Sequence, residues 1–154
     1  LDIKMDIEKC KTEITQHEGR VLKIYQDSLG YKTLGIGHLC QATDPEANWE
    51  VGREVSEEVV NQYFEIDFEK HYKEAIHIFG NEEDFAKLPE NIQRVLVNMC
   101  FNLGGTRLSK FKNMLKACRE HNWDEMAVQM EDSRWFGQVG LRSIELKEMV
   151  LACK

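Results

Sequence analysis

The chain has 154 residues, a formal net charge of −7 at pH 7, 42% hydrophobic residues and 31% charged residues. These values predict one globular domain of ordinary composition that buries its own core. The acidic balance disfavours nucleic acid and anionic membranes as partners, and no apolar run approaches the roughly 18 residues that span a membrane.

The first predicted element is a helix over residues 2–17. Apolar residues recur at helical spacing from Met5 through Cys10 to Ile14, with charged residues between them. Gly19 closes the helix, because glycine readily takes the left-handed conformation that a helix end often needs. The helix therefore brings Glu18 to its last turn.

A β-hairpin is predicted next. Leu22 and Ile24 alternate with Lys23 and Tyr25, which is typical of a half-buried strand. The segment 27–30, DSLG, has turn chemistry, and the alternation resumes after it. A helix end that faces this turn presents two carboxylates, one from each element, to a shared space.

Helices are predicted for most of the remaining chain. After an irregular segment over residues 38–53, Ser56 is a predicted cap for a long helix that ends at Phe79. Glu57 and Glu58 lie in its first turn, where the helix dipole favours negative charge. Further helices are predicted over residues 92–103, 108–120, 123–130 and 141–152, with Ser109 and Asn122 as caps.

These elements predict an α+β fold that is mostly helical and has two lobes. The predicted boundaries are a β-hairpin lobe over residues 19–55, a connecting helix over 56–79, and a helical lobe over 80–154 on which helix 2–17 packs. At about 1.5 Å per residue the connecting helix extends some 35 Å, far enough to join two lobes of one domain.

The cysteines are Cys10, Cys40, Cys100, Cys118 and Cys153. No pair has C-x-x-C spacing, which argues against a zinc ribbon or a thioredoxin-type site. Cys100 and Cys118 fall on apolar helical faces and are interpreted as buried small hydrophobes. In a secreted protein up to two disulfides could form, and the sequence leaves their pairing open.

Glu18 and Asp27 have the residue types that glycosidic bond hydrolysis requires. One carboxyl group must be protonated to donate to the leaving oxygen, while the other is ionised to direct water or to stabilise positive charge. In a chain with 27 acidic residues, however, a pair nine residues apart is most often two solvated charges.

A longer sequence pattern distinguishes this pair of carboxylates from two solvated surface charges. Glu18, Asp27 and Thr33 are separated by eight and five residues, and the sequence GIGHL follows at 35–39. This pattern resembles the active-site signature of the phage-type lysozymes, the muramidases of tailed bacteriophages. The segments that extend the resemblance are VNMCFNLG at 97–104, DSRWF at 132–136 and LR at 141–142.

The resemblance implies a two-lobed lysozyme that hydrolyses the β-1,4 bond between N-acetylmuramic acid and N-acetylglucosamine in peptidoglycan, with inversion. It implies that Glu18 is the general acid, that Asp27 orients or activates water, and that Thr33 assists it on the opposite face of the sugar. It also implies sugar contacts by Leu39, Phe101 and Asn102.

Four supporting positions are carried over from the resemblance. His38 is expected to pair with Asp67 on the long helix, Asn98 to be structural near the base of the site, and Arg142 to hold the carboxyl group of Glu18. The other histidines are scattered without ligand spacing, so neither a metal nor a cofactor is implied.

Some features depart from the family pattern. The segment between Leu39 and the long helix is roughly ten residues shorter than in the phage enzymes, and the family commonly has Gln at the position of Asn102. The sequence begins at Leu1, which indicates a processed or trimmed start. We therefore expect a monomeric, secreted member that acts on bacterial peptidoglycan without nucleic acid or membrane insertion; release of a phage-encoded enzyme into the host cell is the alternative.

Two rival functions remain open from the sequence. One is a non-catalytic cell-wall or chitin binding protein that keeps the cleft, although such a protein has no need of a proton donor. The other is a chitinase or chitosanase that uses the same pair of carboxylates.

Overall fold

The computed structural model describes residues 4–153, and this range contains nine α-helices, a short 3-10 helix at Pro45–Asn48 and a three-stranded antiparallel sheet. The predicted α+β, mostly helical fold is therefore confirmed. The strands are β1 Val21–Gln26, β2 Lys32–Gly35 and β3 His38–Leu39. The helices are α1 Ile7–Glu18, α2 Glu57–Phe79, α3 Glu82–Ala86, α4 Glu90–Leu103, α5 Gly105–Ser109, α6 Lys112–Arg119, α7 Trp123–Glu131, α8 Arg134–Val139 and α9 Leu141–Leu151.

The described residues group into two compact units. One unit takes the residues up to Cys10 together with those from His71 onward, and the other is Lys11–Lys70. The divisions fall inside α1 and α2, so each of these two helices contributes residues to both units. The lobe boundaries expected from the sequence stay a prediction.

Helix α1 begins later than the sequence predicted. Residues 2 and 3 of the expected helix lie outside the described residues, and residues 4–6 are not helical. The Asp6 carboxylate accepts a hydrogen bond from the backbone N–H of Lys9 at 3.0 Å, which satisfies one N–H at the helix start. Met5 and Cys10 are both buried, as in the pair of apolar residues that often flanks such a cap.

The hairpin in the Lys11–Lys70 unit has the predicted turn. The backbone N–H of Asp27 donates to the carbonyl of Tyr31, and that of Gly30 donates to the carbonyl of Asp27. The alternation predicted for β1 is only partly correct, because Leu22 is 38% exposed while Ile24 is fully buried. The pairing of β1 with β2 is irregular at this point, and a strand with an irregular register does not alternate strictly. Strand β3, which pairs antiparallel with β2, was not predicted.

Helix α2 agrees closely with the sequence prediction. The Ser56 hydroxyl accepts a hydrogen bond from the backbone N–H of Val59 at 3.1 Å and thus caps the helix. In the Lys11–Lys70 unit the helix buries Val60, Phe64 and Phe68, which recur every four residues on one face.

From His71 onward, all regular elements of the described residues are helices, joined by short turns. The predicted helix over 108–120 is instead two helices, α5 and α6, separated at Lys110 and Phe111. The Ser109 hydroxyl donates to the carbonyl of Thr106 and does not cap α6. The predicted cap at Asn122 is present, because its side chain accepts from the backbone N–H of Glu125 at 3.2 Å.

Helix α4 is the most buried element of this unit, and it packs against α5 and α9. Helix α7 packs against α6 and α9. The core side chains that α4 contributes are Ile92, Val95, Leu96, Val97, Met99, Cys100, Phe101 and Leu103. All five cysteines lie within the described residues, and none forms a disulfide there.

Candidate active site

Glu18 lies at the C-terminal end of α1. Gly19 follows with φ of +78°, so the helix ends in the left-handed conformation that glycine was predicted to supply. The carboxyl group of Glu18 rests on Gly37, in the turn between β2 and β3. A Cβ atom built on Gly37 would lie only 2.5 Å from Glu18 Oε1, so the carboxyl group occupies the place of a side chain there.

The Asp27 carboxylate is fixed by the turn that it starts. Its Oδ1 accepts hydrogen bonds from the backbone N–H groups of Leu29 and Tyr31, each at 2.9 Å. Two backbone donors to one carboxylate oxygen make a rigid local ring, as in an Asx-turn. The sequence DSLG therefore orients the Asp27 side chain as well as turning the chain.

Tyr25, Thr33 and Leu39 form a row across the sheet. Tyr25 lies opposite Thr33 in the β1–β2 pair, and Thr33 lies opposite Leu39 in the β2–β3 pair. Residues directly opposite each other in antiparallel strands have side chains on the same face. Thr33 is 5% exposed, and its hydroxyl donates to the carbonyl of Tyr31 at 3.0 Å.

The electrostatic surroundings of Tyr25 connect it with both predicted catalytic carboxylates. Burial raises the pKa of Tyr25 above its ordinary value of 10.0, and the negative charges of Glu18 and Asp27 raise it further. The phenol therefore interacts electrostatically with both carboxylates, and the raised pKa favours its protonated form. The sequence pattern predicts Tyr25 only as a strand residue.

His38 is buried between two carboxylates. Its Nδ1 lies 2.7 Å from Oδ2 of Asp67, the partner expected from the resemblance, and its Nε2 lies 2.8 Å from Oδ2 of Asp44. Because an ionised carboxylate only accepts hydrogen bonds, both ring nitrogens must carry protons to donate. This arrangement makes His38 an imidazolium that joins α2 to the segment after β3.

The pKa values of His38 and Asp44 shift in opposite directions. Burial lowers the pKa of His38, but the hydrogen bonds and charges of Asp67 and Asp44 outweigh it, and the net pKa is raised above 6.5. Burial raises the pKa of Asp44, but the backbone N–H of Gln41 and the His38 ring outweigh this, and its net pKa is lowered below 3.8. Each shift favours the charged form of the group.

Two further residues extend this arrangement and were missed by sequence reasoning. The Tyr63 ring stacks on the His38 ring with centroids 3.9 Å apart, and its hydroxyl donates to the carboxylate of Glu46. Burial and the Glu46 carboxylate raise the pKa of Tyr63. We call His38, Asp44, Glu46, Tyr63 and Asp67 the histidine clamp. A turn residue such as Asp44 gives no local signal that it reaches back six residues.

Asn98 and Arg142 belong to the other unit, where they are buried together. The Arg142 Nε donates to Oδ1 of Asn98 at 2.9 Å, and its guanidinium also donates to the Asn98 carbonyl at 3.3 Å. Helices α4 and α9 are thus joined by a charged side chain that is 7% exposed. The expected approach of Arg142 to Glu18 stays a prediction.

The two predicted sugar contacts on α4 are engaged within their own unit. Phe101 is 8% exposed and meets the His71 ring edge-on, with centroids 5.2 Å apart. Asn102 Oδ1 accepts a hydrogen bond from the indole N–H of Trp135 at 2.7 Å. Leu39, in the unit Lys11–Lys70, is 44% exposed.

In the described part of the chain, no helix is long and apolar enough to cross a membrane.

Comparisons with known proteins show which family this chain resembles. The chain is similar to probable T4-type lysozyme 2 of Dictyostelium discoideum, with 29% identity over 89% of this chain and 90% of that protein. It is also similar to the pre-baseplate central spike protein Gp5 of Enterobacteria phage T4, with 28% identity over 90% of this chain and 27% of that protein. The similarity to peptidoglycan hydrolase gp36 of Pseudomonas phage phiKMV is 24% identity over 88% of this chain and 14% of that protein. The family model for phage lysozyme matches residues 15–146, which include Glu18, Asp27 and Thr33. The chain belongs to the phage lysozyme family.

Proposed function

We propose that this chain is a muramidase, which hydrolyses the β-1,4 bond between N-acetylmuramic acid and N-acetylglucosamine in bacterial peptidoglycan with inversion. The observation that carries the proposal is the arrangement around the hairpin, where Glu18 rests on Gly37 while Asp27 is fixed by backbone amides. Family membership and the name of the phiKMV relative, a peptidoglycan hydrolase, support this substrate.

The proposed reaction uses the two carboxylates on opposite faces of the sugar ring. Glu18 donates its proton to the glycosidic oxygen as that bond breaks, and Asp27 takes a proton from the water that attacks the anomeric carbon. The Thr33 hydroxyl donates its own hydrogen to the Tyr31 carbonyl, so its oxygen can accept a hydrogen bond from the attacking water. Water supplies the hydrogen and hydroxyl of the two products, and no metal or cofactor takes part in the proposed step.

The proposed sugar contacts are Leu39, Phe101 and Asn102. Leu39 offers an exposed apolar surface, and Phe101 can offer only the edge that is not buried against His71. Because Trp135 occupies Oδ1 of Asn102, the amide hydrogens of Asn102 are the groups suited to a sugar carbonyl.

The test compares wild type with Glu18→Gln on purified peptidoglycan, with released sugars identified. The substitution keeps the shape of the side chain and removes the acid, so we expect a loss of about 10²- to 10⁴-fold in hydrolysis. New reducing ends on muramic acid identify a muramidase, and the first anomer released identifies inversion. Glu8→Gln, an exposed position on the same helix α1, is the matched control and should keep wild-type activity.

Other results would redirect the proposal. Retained hydrolysis in Glu18→Gln rules out Glu18 as the acid. Binding to peptidoglycan without hydrolysis by wild type identifies a cell-wall binding protein, and faster cleavage of chitin oligomers or chitosan identifies a chitinase or chitosanase. The proposed working form is a monomer that reaches the wall by secretion, with phage-encoded release as the alternative.

A further inference from the structure

His71, Glu74 and Cys100 bring an imidazole, a carboxylate and a thiol to one place in the unit from His71 onward. One potential ligand atom from each residue lies within 4.8 Å of the others. His71 and Glu74 are three residues apart on α2, and Cys100 lies on α4. None of these residues has a part in the reaction proposed for Glu18 and Asp27.

The contacts around the three residues hold them in place. His71 Nδ1 lies 2.8 Å from Glu74 Oε1, and the side chains are 16% and 35% exposed. The edge-on contact with Phe101 restricts rotation of the His71 ring. Cys100 is fully buried. The cluster therefore has a buried thiol at its base and two ligands that solvent can reach.

Gly105 provides the space for the Glu74 carboxylate. A Cβ atom built on Gly105 would lie 2.6 Å from Glu74 Oε2, closer than real Cβ contacts allow. Gly105 is not among the residues with positive φ, so its backbone conformation does not itself require glycine. The absence of a side chain at this position is explained by the room that the carboxylate needs.

We propose that His71, Glu74 and Cys100 form a Zn²⁺ site with a fourth position open to water. Zn²⁺ binds thiolate sulfur at about 2.3 Å and imidazole nitrogen or carboxylate oxygen at about 2.0–2.2 Å. Tetrahedral geometry with those bonds separates the ligand atoms by roughly 3.3–3.8 Å. Small side-chain rotations would widen the His71–Glu74 pair and draw the thiol inward to reach these distances.

The ligand types favour Zn²⁺ over the harder cations. Mg²⁺ and Ca²⁺ prefer oxygen ligands, whereas a thiol and an imidazole suit Zn²⁺. On binding, the Cys100 thiol loses its proton to solvent and the neutral His71 ring offers a nitrogen lone pair. The sequence did not predict this site because its third ligand comes from a different helix, 26 positions after the second.

The test uses Co²⁺ as a spectroscopic substitute for Zn²⁺ in chelator-treated protein that carries Cys40→Ser and Cys153→Ser, which removes the two partly exposed thiols. We expect one Co²⁺ per chain, a thiolate-to-cobalt charge-transfer band, and displacement by one equivalent of Zn²⁺. Cys100→Ser should abolish the band, and His71→Asn or Glu74→Gln should weaken Co²⁺ binding at least tenfold.

Two matched controls should bind Co²⁺ as the parent protein does. They are Cys118→Ser, another buried thiol in this unit, and His77→Asn, an exposed histidine on the same helix α2. No charge-transfer band, or a band that survives Cys100→Ser, overturns the proposal and leaves the His71–Glu74 contact as an ordinary hydrogen bond. If Cys100→Ser does not fold, unchanged affinity in His71→Asn and Glu74→Gln overturns the proposal instead.

Discussion

At the scale of single residues, Asp27 illustrates how a short sequence can orient a side chain. Both donors to its Oδ1 are backbone N–H groups within the next four residues. The orientation of this carboxylate therefore depends on the turn and not on distant packing. Because the cause is local, the sequence was enough to predict the turn.

Replacing Asp27 by asparagine should separate its charge from its structural role. The amide oxygen of Asp27→Asn can accept the same two hydrogen bonds, so the free energy of unfolding should change by less than about 1 kcal/mol. Loss of the proposed general base should lower kcat/KM on peptidoglycan fragments by about 10²- to 10⁴-fold. Urea unfolding and initial rates measure the two effects.

The companion variant Asp27→Ala removes both hydrogen bonds as well as the charge. Its unfolding free energy should fall by about 1–3 kcal/mol more than that of Asp27→Asn. Wild-type activity in Asp27→Asn would exclude the proposed base, and equal stability of the two variants would exclude the structural role of the turn.

The pKa of Tyr25 should respond to Glu18. Burial and the negative charges of Glu18 and Asp27 raise this pKa above 10.0, so removing one negative charge should lower it. Glu18→Gln should therefore shift the phenolate absorbance titration of Tyr25 to lower pH, with Tyr25→Phe used to identify its signal. The control Glu8→Gln should leave that titration unchanged, and no shift in Glu18→Gln would show that the two groups do not interact.

Residue-scale prediction failed where partners come from elsewhere in the chain. Strand alternation indicated that Lys23 and Tyr25 share a face, but only the pairing register shows that Tyr25 lies opposite Thr33. Likewise, the resemblance gave Asp67 as a partner of His38, whereas nothing in the sequence around Asp44 indicated a second one.

At the scale of elements, the turn between β2 and β3 is adapted to the end of α1. Gly37 has φ of +64° and supports the Glu18 carboxyl group. Gly37→Ala should destabilise the fold by about 1–2 kcal/mol for the left-handed conformation and should also displace the carboxyl group. Under conditions where the variant is fully folded, we still expect slower hydrolysis, because the displaced carboxyl group no longer meets the substrate correctly.

Gly52 provides a matched control for this variant. It has φ of +96°, and a Cβ atom built there meets nothing within 4 Å. Gly52→Ala should have a similar stability cost with wild-type activity. Equal activities in the two alanine variants would show that contact with Gly37 does not position Glu18.

The histidine clamp should make stability depend on pH in a defined window. The raised pKa of His38 contributes stability that is fully present below pH 6.5 and is lost as pH rises through the folded pKa. The lowered pKa of Asp44 contributes stability that is present above pH 3.8 and is lost as pH falls through its folded pKa. The clamp should therefore stabilise the protein most between about pH 3.8 and 6.5.

Urea unfolding across pH tests this window. At pH 5.5, His38→Asn should lose about 1.5–3 kcal/mol, since it removes hydrogen bonds between charged groups. The stability difference from wild type should shrink as pH rises above the folded pKa of His38. His77→Asn, at an exposed position, should follow the wild-type profile, and a constant difference at all pH values would contradict the imidazolium assignment.

Element prediction succeeded where the local signal was strong. Ser56 and Gly19 mark the start of α2 and the end of α1 as expected. It failed for β3, which has two residues and exists through pairing with β2, and at Lys110–Phe111, where neither glycine nor proline marks the break between helices. The failure at β3 depends on strand pairing, which a single-sequence pattern does not contain.

At the scale of the whole molecule, charge is the property that sequence reports best. Residues 1–79 carry 9 Lys and Arg against 16 Asp and Glu, a net charge of −7, whereas residues 80–154 carry 11 of each. The pattern of helices and strands also predicted the α+β class correctly. The grouping of contacts divides the chain inside α1 and α2, which no boundary signal in the sequence marks.

The acidic balance should give hydrolysis an unusual salt dependence. Peptidoglycan with anionic stem peptides repels an acidic enzyme, and raising ionic strength from about 10 mM to 150 mM shortens the screening length from about 30 Å to 8 Å. KM should therefore fall a few-fold over this range while kcat stays constant. Initial rates on purified peptidoglycan at increasing NaCl concentration measure both parameters.

The matched substrate for this prediction is peptidoglycan from which the stem peptides have been removed. Its glycan chains are much less anionic, so KM should depend only weakly on salt. A steady rise of KM with salt on the intact substrate would indicate that a local basic surface, and not the net charge, governs binding.

The enclosed His38 ring also gives this protein an internal spectroscopic label. Both of its N–H groups are donated to carboxylates, and the side chain is only 8% exposed. Protons held in this way exchange slowly with water and resonate far downfield of ordinary amides. In nuclear magnetic resonance spectra, two such signals from one histidine would follow the opening of the hairpin region directly, without any added probe.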